Sequence, residues 1–340
     1  MSPFRSVDAT ASRPHAYALA PLRRSLLLSS VVLASAVALA CSSDPGSPAP
    51  RPGPTSSGSS GGTSSGEVPP APTATGTTPP GPPPEPEWVA PQVASTSPAC
   101  GTARNRAIGE DFTTPTGRKF HVWGPSTYDP NKTYPVVLSF HGWYADGRAH
   151  EGWFKMEDYT ENEAFVVYPD AVGGLWDLNG TTDLVFFDEL VKQLGETYCI
   201  NPSRILAFGF SYGGRFMNQL GCKRAGYVKA IAIGDGSGGG DGLHCGRLPV
   251  LVTVRTHDTD ERPEWGKAAS ETWASFDKCG VDTTVSDPTM NCIAHKGCKT
   301  PGDVTFCEDA FFDASWPTDW NHTVREPYRA FTWKWFKALP

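Results

Sequence analysis

Gly209-Phe210-Ser211-Tyr212-Gly213-Gly214 separates two different periodicities. Before it, Arg204-Ile205-Leu206-Ala207-Phe208 is a compact apolar run of strand length. After it, Tyr212, Phe216 and Leu220 recur at helical spacing. A buried strand, a sharp G-x-S-x-G turn and a helix together form the context in which a serine hydroxyl is presented at the carboxyl end of a sheet. Glycines on either side permit the turn and leave room around it. The helix amino terminus behind Ser211 favours negative charge building up in front of it. Ser211 is therefore the candidate nucleophile.

Working outward, the same pattern repeats. Lys119 to Trp123 reads as a short strand, and Pro135 to Phe140 as a continuous apolar strand ending in His141-Gly142-Trp143. Ala164 to Tyr168 is a further buried strand. Thr182 to Gln193 has Leu184, Phe187, Val191 and Leu194 on one helical face. Beyond the nucleophile, Val228 to Ile233 and Pro249 to Val254 are strands. Glu264 to Phe276 is a helix with Trp265, Ala269, Trp273 and Phe276 along one stripe, and a last helix carries Tyr328, Phe331 and Trp335. Continuous apolar strands alternating with helices indicate a mostly parallel sheet covered on both faces. With a nucleophile turn at its middle, the expected fold is α/β, an α/β-hydrolase.

A serine needs a base to take its proton and an acid to orient that base, and this fold orders them Ser, acid, His. Of the eight histidines, His322 in Trp320-Asn321-His322-Thr323, just ahead of the last helix, is placed as the base. The acid belongs on the loop after Val250–Val254, which reads Arg255-Thr256-His257-Asp258-Thr259-Asp260-Glu261. Asp260 is the first choice and Asp258 the alternative. An oxyanion needs preorganised N–H donors, and the backbone amides of Tyr212 and Trp143 are the candidates. His141, Trp143 and Trp320 adjoin these residues and are the candidate substrate contacts.

The rest of the 340-residue chain sets boundaries on this reading. Residues 1–40 carry Arg5, Arg13, Arg23 and Arg24, then an apolar run from Leu26 to Ala40 that is too short and too rich in serine for a membrane span. Ala38-Leu39-Ala40-Cys41 looks like a bacterial lipoprotein signal with Cys41 as the lipid-bearing residue. Residues 41–93 are rich in Pro, Gly, Ser and Thr and read as a disordered tether. Residues 94–340 suit one catalytic domain. Membrane contact is expected only through the lipid. A net charge of −7 without a basic stripe argues against nucleic acid. Nothing in the composition calls for more than one copy of the chain.

Nine cysteines include Cys41, leaving eight for the domain, an even number that reads as disulfides in an exported chain. Cys199, before the nucleophile strand, and Cys222, after its helix, form the one pair that can be argued from position. Cys292, His295, Cys298 and Cys307 offer a zinc reading, which an oxidising compartment disfavours, so no metal is assigned. Asp235 and Asp241 in a glycine-rich run offer only a weak calcium reading.

Three stretches resemble the secreted feruloyl and acetylxylan esterases of the carbohydrate esterase family 1 type, and the related polyhydroxybutyrate depolymerase-like lipoproteins. They are Cys100-Gly101, Tyr128-Asp129-Pro130-Asn131-Lys132 with His141-Gly142, and Tyr198-Cys199-Ile200-Asn201-Pro202-Ser203-Arg204 leading into Gly209–Gly214. The resemblance covers most of residues 98–340 and is strongest up to Cys222. It implies an α/β-hydrolase fold, a Ser-Asp-His triad, no metal or other cofactor, and ester cleavage on polysaccharide or polyester. The family's acid motif is H-G-x-x-D. Here Thr256-His257-Asp258-Thr259-Asp260 keeps the aspartate spacing and lacks the His-Gly. The family's G-H before the base is Asn321-His322. Two other function classes fit the chain less well: a polyhydroxyalkanoate depolymerase, and a surface carbohydrate-binding protein that kept the fold and lost catalysis.

Overall fold

The computed structural model describes residues 94–103, 109–238, 245–300, 304–312, 314 and 321–340. The expected signal and tether (1–93, with Cys41), Asp241, His244, Trp316 and Trp320 lie outside the described residues. No described helix is long and apolar enough to cross a membrane.

Ten strands form one sheet: β1 (Glu110–Thr113), β2 (Lys119–Trp123), β3 (Tyr134–Phe140), β4 (Phe165–Pro169), β5 (Ile200–Phe210), β6 (Ala230–Gly234), β7 (Val250–Arg255), β8 (Thr283–Asp287), β9 (Cys292–His295) and β10 (Val304–Asp309). Their spatial order is β1-β2-β4-β3-β5-β6-β7-β10-β9-β8. The six strands from β4 to β10 in that order are parallel. Antiparallel strands extend the sheet at both edges. This is the expected α/β-hydrolase sheet.

Alternation along the strands divides the core into two layers. Val136, Leu138 and Phe140 of β3 join Ile205 and Ala207 of β5 on one face, beneath helices α2 (Thr182–Thr197), α3 (Tyr212–Arg224) and α4 (Pro263–Phe276). Val137, Leu206, Phe208 and Phe210 point the other way, toward α1 (Gly147–Phe154) and α5 (Glu326–Ala338). Both faces of the central strands are therefore dry, which is why they read as continuous apolar runs. Fully burying each such side chain is worth roughly 1.5–3 kcal/mol.

Ala145 to Trp153 contains most of α1, whose Asp146 side chain caps it by accepting from the Ala149 amide at 2.7 Å. One expectation about local structure changes. Trp265 does not share the buried stripe of α4: it is 41% exposed, while Ala269 and Trp273 face the core.

The expected Cys199–Cys222 bridge is replaced by Cys100–Cys199 and Cys222–Cys245, with Cys279–Cys298 and Cys292–Cys307 closing the β8–β10 edge. The reason is local. Residues 97–100 run beside the start of β5, where the Ser97 amide donates to the Ile200 carbonyl and the Ala99 amide to Gly195. Cys222 turns instead toward the segment entering β7, where the Gly246 amide donates to its carbonyl. The cysteines offered as zinc ligands, Cys292, Cys298 and Cys307, are all oxidised in these bridges. Closing a loop with sequence separation 99 through Cys100–Cys199 stabilises by about 4–5 kcal/mol in the chain-entropy account. Four disulfides belong to an oxidising compartment, outside the reducing cytoplasm.

Candidate active site

Chain order places the site. After β3 the chain moves to β4 on one side, and returns as β5 on the other. At such a reversal the carboxyl ends of adjacent strands open a crevice. The β3 end carries the His141-Gly142-Trp143 turn and the β5 end carries Ser211.

Ser211 takes φ 54°, ψ −118°, a conformation that non-glycine residues rarely adopt. Such strain costs on the order of 1–3 kcal/mol and persists only where the surroundings enforce it. Here the Ser211 amide donates to the Gly234 carbonyl at 2.9 Å, and the Ser211 carbonyl accepts from the Arg215 amide at 3.0 Å, which starts α3.

The Ser211 hydroxyl donates to His322 Nε2 at 2.7 Å, and His322 Nδ1–H donates to Asp258 Oδ2 at 2.7 Å. The ring of Phe210 backs the imidazole, with centroids 4.9 Å apart. Asp258, not Asp260, thus meets the base. Its Oδ1 accepts from the Asp260 amide at 2.8 Å and the Glu261 amide at 3.0 Å. That turn fixes Oδ2 toward His322, buries Asp258 and sends the Asp260 side chain outward to the exposed cleft wall. A hydrogen bond from the Asp258 amide to the Arg255 carbonyl at 3.2 Å tightens the loop directly after β7. The carboxylate that meets His322 therefore stands two residues earlier than the spacing in the resembling esterases suggests.

The loop bearing His322 is tied down from below. Arg255 Nη2 donates to the Asn321 Oδ1 and the Phe311 carbonyl, and Asp309 accepts two hydrogen bonds from Arg325. Asp235, after β6, lies among these groups and accepts from the Arg255 amide at 2.7 Å. Burial first, and the neighbouring Asp258 charge second, push its carboxyl well above the ordinary carboxylate range.

Gly142 brings its turn close to the nucleophile: a methyl group on it would sit 3.4 Å from Ser211 Cβ. The Tyr144 amide is spent on the Gly174 carbonyl, whereas among the described residues nothing accepts from the Trp143 or Tyr212 amides. Tyr212 is the first helical residue and has no intrahelical acceptor. Both remain candidate oxyanion donors.

His141 was expected to touch substrate, and the structure places it elsewhere. It is fully buried, donates from Nδ1 to the Gly142 carbonyl at 2.7 Å and accepts at Nε2 from the Ala171 amide at 3.1 Å. Burial holds its pKa below the usual histidine value. It braces the turn from behind, together with Trp176, whose indole N–H donates to the His141 carbonyl. A second Ser–His contact, Ser139 to His150 at 2.9 Å, is wholly inside the core and reaches no cleft.

The cleft over Ser211 has a volume of about 600 Å³. Trp143, Trp153 and Phe210 form an apolar wall, and Arg215, Asp260 and Glu261 a charged one. Trp143 is 63% exposed, stacks on Tyr144 with centroids 5.0 Å apart and lies 6.4 Å from the Tyr212 ring. Glu261, buried, pairs with Arg215 at 2.6 Å. Arg215, Glu261 and Phe210 went unnoticed in the sequence. The signal for Arg215 was its place one helical turn after Ser211, and Phe210 precedes the serine directly.

No family model matches the chain. A protein named probable feruloyl esterase C from Aspergillus clavatus is 27% identical over 165 residues, 46% of this chain and 60% of that one. Feruloyl esterase C of Emericella nidulans is 26% identical over 179 residues, 47% of this chain and 65% of that one. A bifunctional acetylxylan esterase/xylanase of Neocallimastix patriciarum is 35% identical over 119 residues, 33% of this chain and 17% of that one. The chain thus spans less than two thirds of the length of these relatives. Among solved structures, an acetyl xylan esterase from Aspergillus awamori superposes with a TM-score of 0.54 at 15% identity, covering 68% of this chain and all of that one. That likeness shows the α/β-hydrolase fold.

Proposed function

We propose that the chain is a serine esterase that cleaves carboxylic esters carried by plant-wall polysaccharide, with a hydroxycinnamoyl group such as ferulate as the favoured acyl part and acetate as the lesser one. The observation that carries this reading is the unbroken chain from Ser211 Oγ through His322 to the buried Asp258, 2.7 Å at each step, beneath a cleft with an aromatic wall. The similarity to feruloyl and acetylxylan esterases supports it.

In the first half-reaction His322 Nε2 takes the Ser211 hydroxyl proton as Oγ bonds to the ester carbonyl carbon. The charge that moves to the carbonyl oxygen faces the amides of Trp143 and Tyr212 and the amino end of α3. His322 then gives its proton to the alcohol oxygen as the C–O bond breaks, leaving the acyl group on Ser211. In the second half, His322 deprotonates a water that attacks the acyl carbon. The acid departs and the proton returns to Ser211 Oγ. Asp258 holds the tautomer with Nδ1–H throughout and balances the charge on the imidazolium.

The exposed ring of Trp143 distinguishes the two acyl groups, because a flat acid stacks on it and acetate does not. Stacking of this kind is worth roughly 0.5–1.5 kcal/mol, about tenfold at its upper end. The test is a panel of methyl ferulate, acetylated xylan, p-nitrophenyl acetate and a 3-hydroxybutyrate oligomer, run with the full chain, Ser211→Ala and Trp143→Ala. Ferulate cleavage abolished in Ser211→Ala, with KM raised about fivefold or more for ferulate and little changed for p-nitrophenyl acetate in Trp143→Ala, is expected. Cleavage of the hydroxybutyrate oligomer alone would overturn the substrate assignment, and activity surviving in Ser211→Ala the mechanism.

A further inference from the structure

The face of α3 that starts at Ser211 continues into a second cleft. Arg215, Gln219 and Lys223 follow the serine at steps of four residues, about 6 Å each along the axis. Arg215 lines both clefts. The second has a volume of about 550 Å³ and includes Asn179, Lys223 and Trp265 in its lining. The Cys222–Cys245 bridge backs its wall.

Three features of this cleft point to one kind of ligand. Its described lining contains Arg215 and Lys223 and no carboxylate, in a chain whose net charge is −7. Lys223 is exposed and makes no ion pair among the described residues. Trp265, 41% exposed, presents an indole where a core residue of the same helix face would be covered. Amide side chains beside an aromatic plate suit sugar hydroxyls and the apolar face of a sugar ring. Lys223 has no counter-charge on the described wall and stands along the same helix face as Arg215, whose guanidinium is held by Glu261 at 2.6 Å, and this pairing of cations suits an anion. The cleft also lies further along the same helix face as the nucleophile, where the alcohol part of a polymeric ester would extend.

We propose that this second cleft is a subsite for the sugar chain on the alcohol side of the ester, and that it prefers a sugar bearing a carboxylate, a uronic acid branch on the polysaccharide. The assignment of an alcohol side rests on the esterase reading, but the binding site is measurable without turnover. Lys223 and Arg215 meet the carboxylate, and Trp265 stacks on a ring. Arg215 stays anchored by Glu261, which fixes the boundary between the two clefts.

The test is calorimetric binding of xylo-oligosaccharides of equal length, with and without a uronic acid branch, to the full chain carrying Ser211→Ala. The same titrations are run on that protein with Lys223→Glu or Trp265→Ala added. The branched acidic ligand is expected to bind about fivefold tighter than the neutral one at low salt, consistent with one or two partly exposed charge contacts. That preference should shrink as salt rises. Lys223→Glu should abolish it and leave neutral binding unchanged, while Trp265→Ala should weaken both ligands. Equal affinity for the two ligands, or a preference untouched by Lys223→Glu, overturns the proposal. Methyl ferulate hydrolysis by the unmutated chain, run alongside, separates the two readings. Ester cleavage without an acidic preference removes the subsite alone, and an acidic preference without ester cleavage removes the esterase reading and leaves the binding site.

Discussion

Asp258→Asn is expected to lower kcat on any cleaved ester by about 10⁴-fold, while Asp260→Asn stays within about threefold. The asymmetry follows from what each carboxylate touches. Asp258 Oδ2 accepts from His322 Nδ1, and its Oδ1 accepts from two loop amides. An asparagine keeps the Oδ1 contacts, so the loop holds its shape. It turns an N–H toward Nδ1, which favours the imidazole tautomer with its proton on Nε2. That nitrogen can no longer take the Ser211 proton. The Asp260 side chain lies on the exposed cleft wall and has no contact with His322. Steady-state rates on p-nitrophenyl acetate, with thermal melts showing both variants folded, decide the matter. A larger loss in Asp260→Asn than in Asp258→Asn would move the acid back to the position suggested by the family spacing.

The second large effect is expected at Gly213. A Cβ there would lie 2.4 Å from the Phe140 carbonyl oxygen and 2.6 Å from that of His141. Both obstacles are backbone, so relief requires α3 to move off the end of β3. That shift separates the Tyr212 amide from the Trp143 amide and alters the approach of Ser211 to His322. Gly213→Ala is expected to cost about 1–3 kcal/mol of stability, the usual range for overpacking a filled core. Loss of one oxyanion donor alone costs about 10²–10³ in kcat, and activity should fall at least that far. Urea titration and kcat on the same sample check both. A variant that melts like the parent and keeps more than a tenth of its activity would show that the turn has more room than its geometry indicates. Gly209 answers the same constraint from the strand side, since its Cβ would meet the Gly213 carbonyl oxygen at 2.2 Å.

These two sites also show what a sequence can and cannot reveal here. The G-x-S-x-G turn is legible because backbone collisions leave no alternative to glycine at its flanks, so the physical requirement is written in residue type. The central strands are legible because both their faces are buried. His322 follows from chain order and from its loop ahead of the last helix. Asp258 was ambiguous because two aspartates stand two residues apart, and only the turn made by its own Oδ1 decides which one faces inward. The edge strands β1, β8 and β9 are short or largely exposed, and Thr283–Asp287 is polar throughout except for Val285. Such segments join the sheet through backbone pairing and carry little pattern of their own. The cysteine pairs depend on how residues 97–100 and the segment entering β7 pass over the sheet. Those are long-range contacts that no local signal encodes. The charge pair Arg215–Glu261 joins helix α3 to the loop after β7 across 46 positions and was invisible for the same reason.

The most direct test of the account is mass spectrometry of the full chain after reaction with a fluorophosphonate at neutral pH, in the parent and in His322→Ala. The account predicts one covalent adduct per chain, carried by the peptide containing Ser211, formed rapidly in the parent and at least about 10³-fold more slowly without the base. A folded parent that takes up no adduct, or one that is labelled on a different residue, would contradict it.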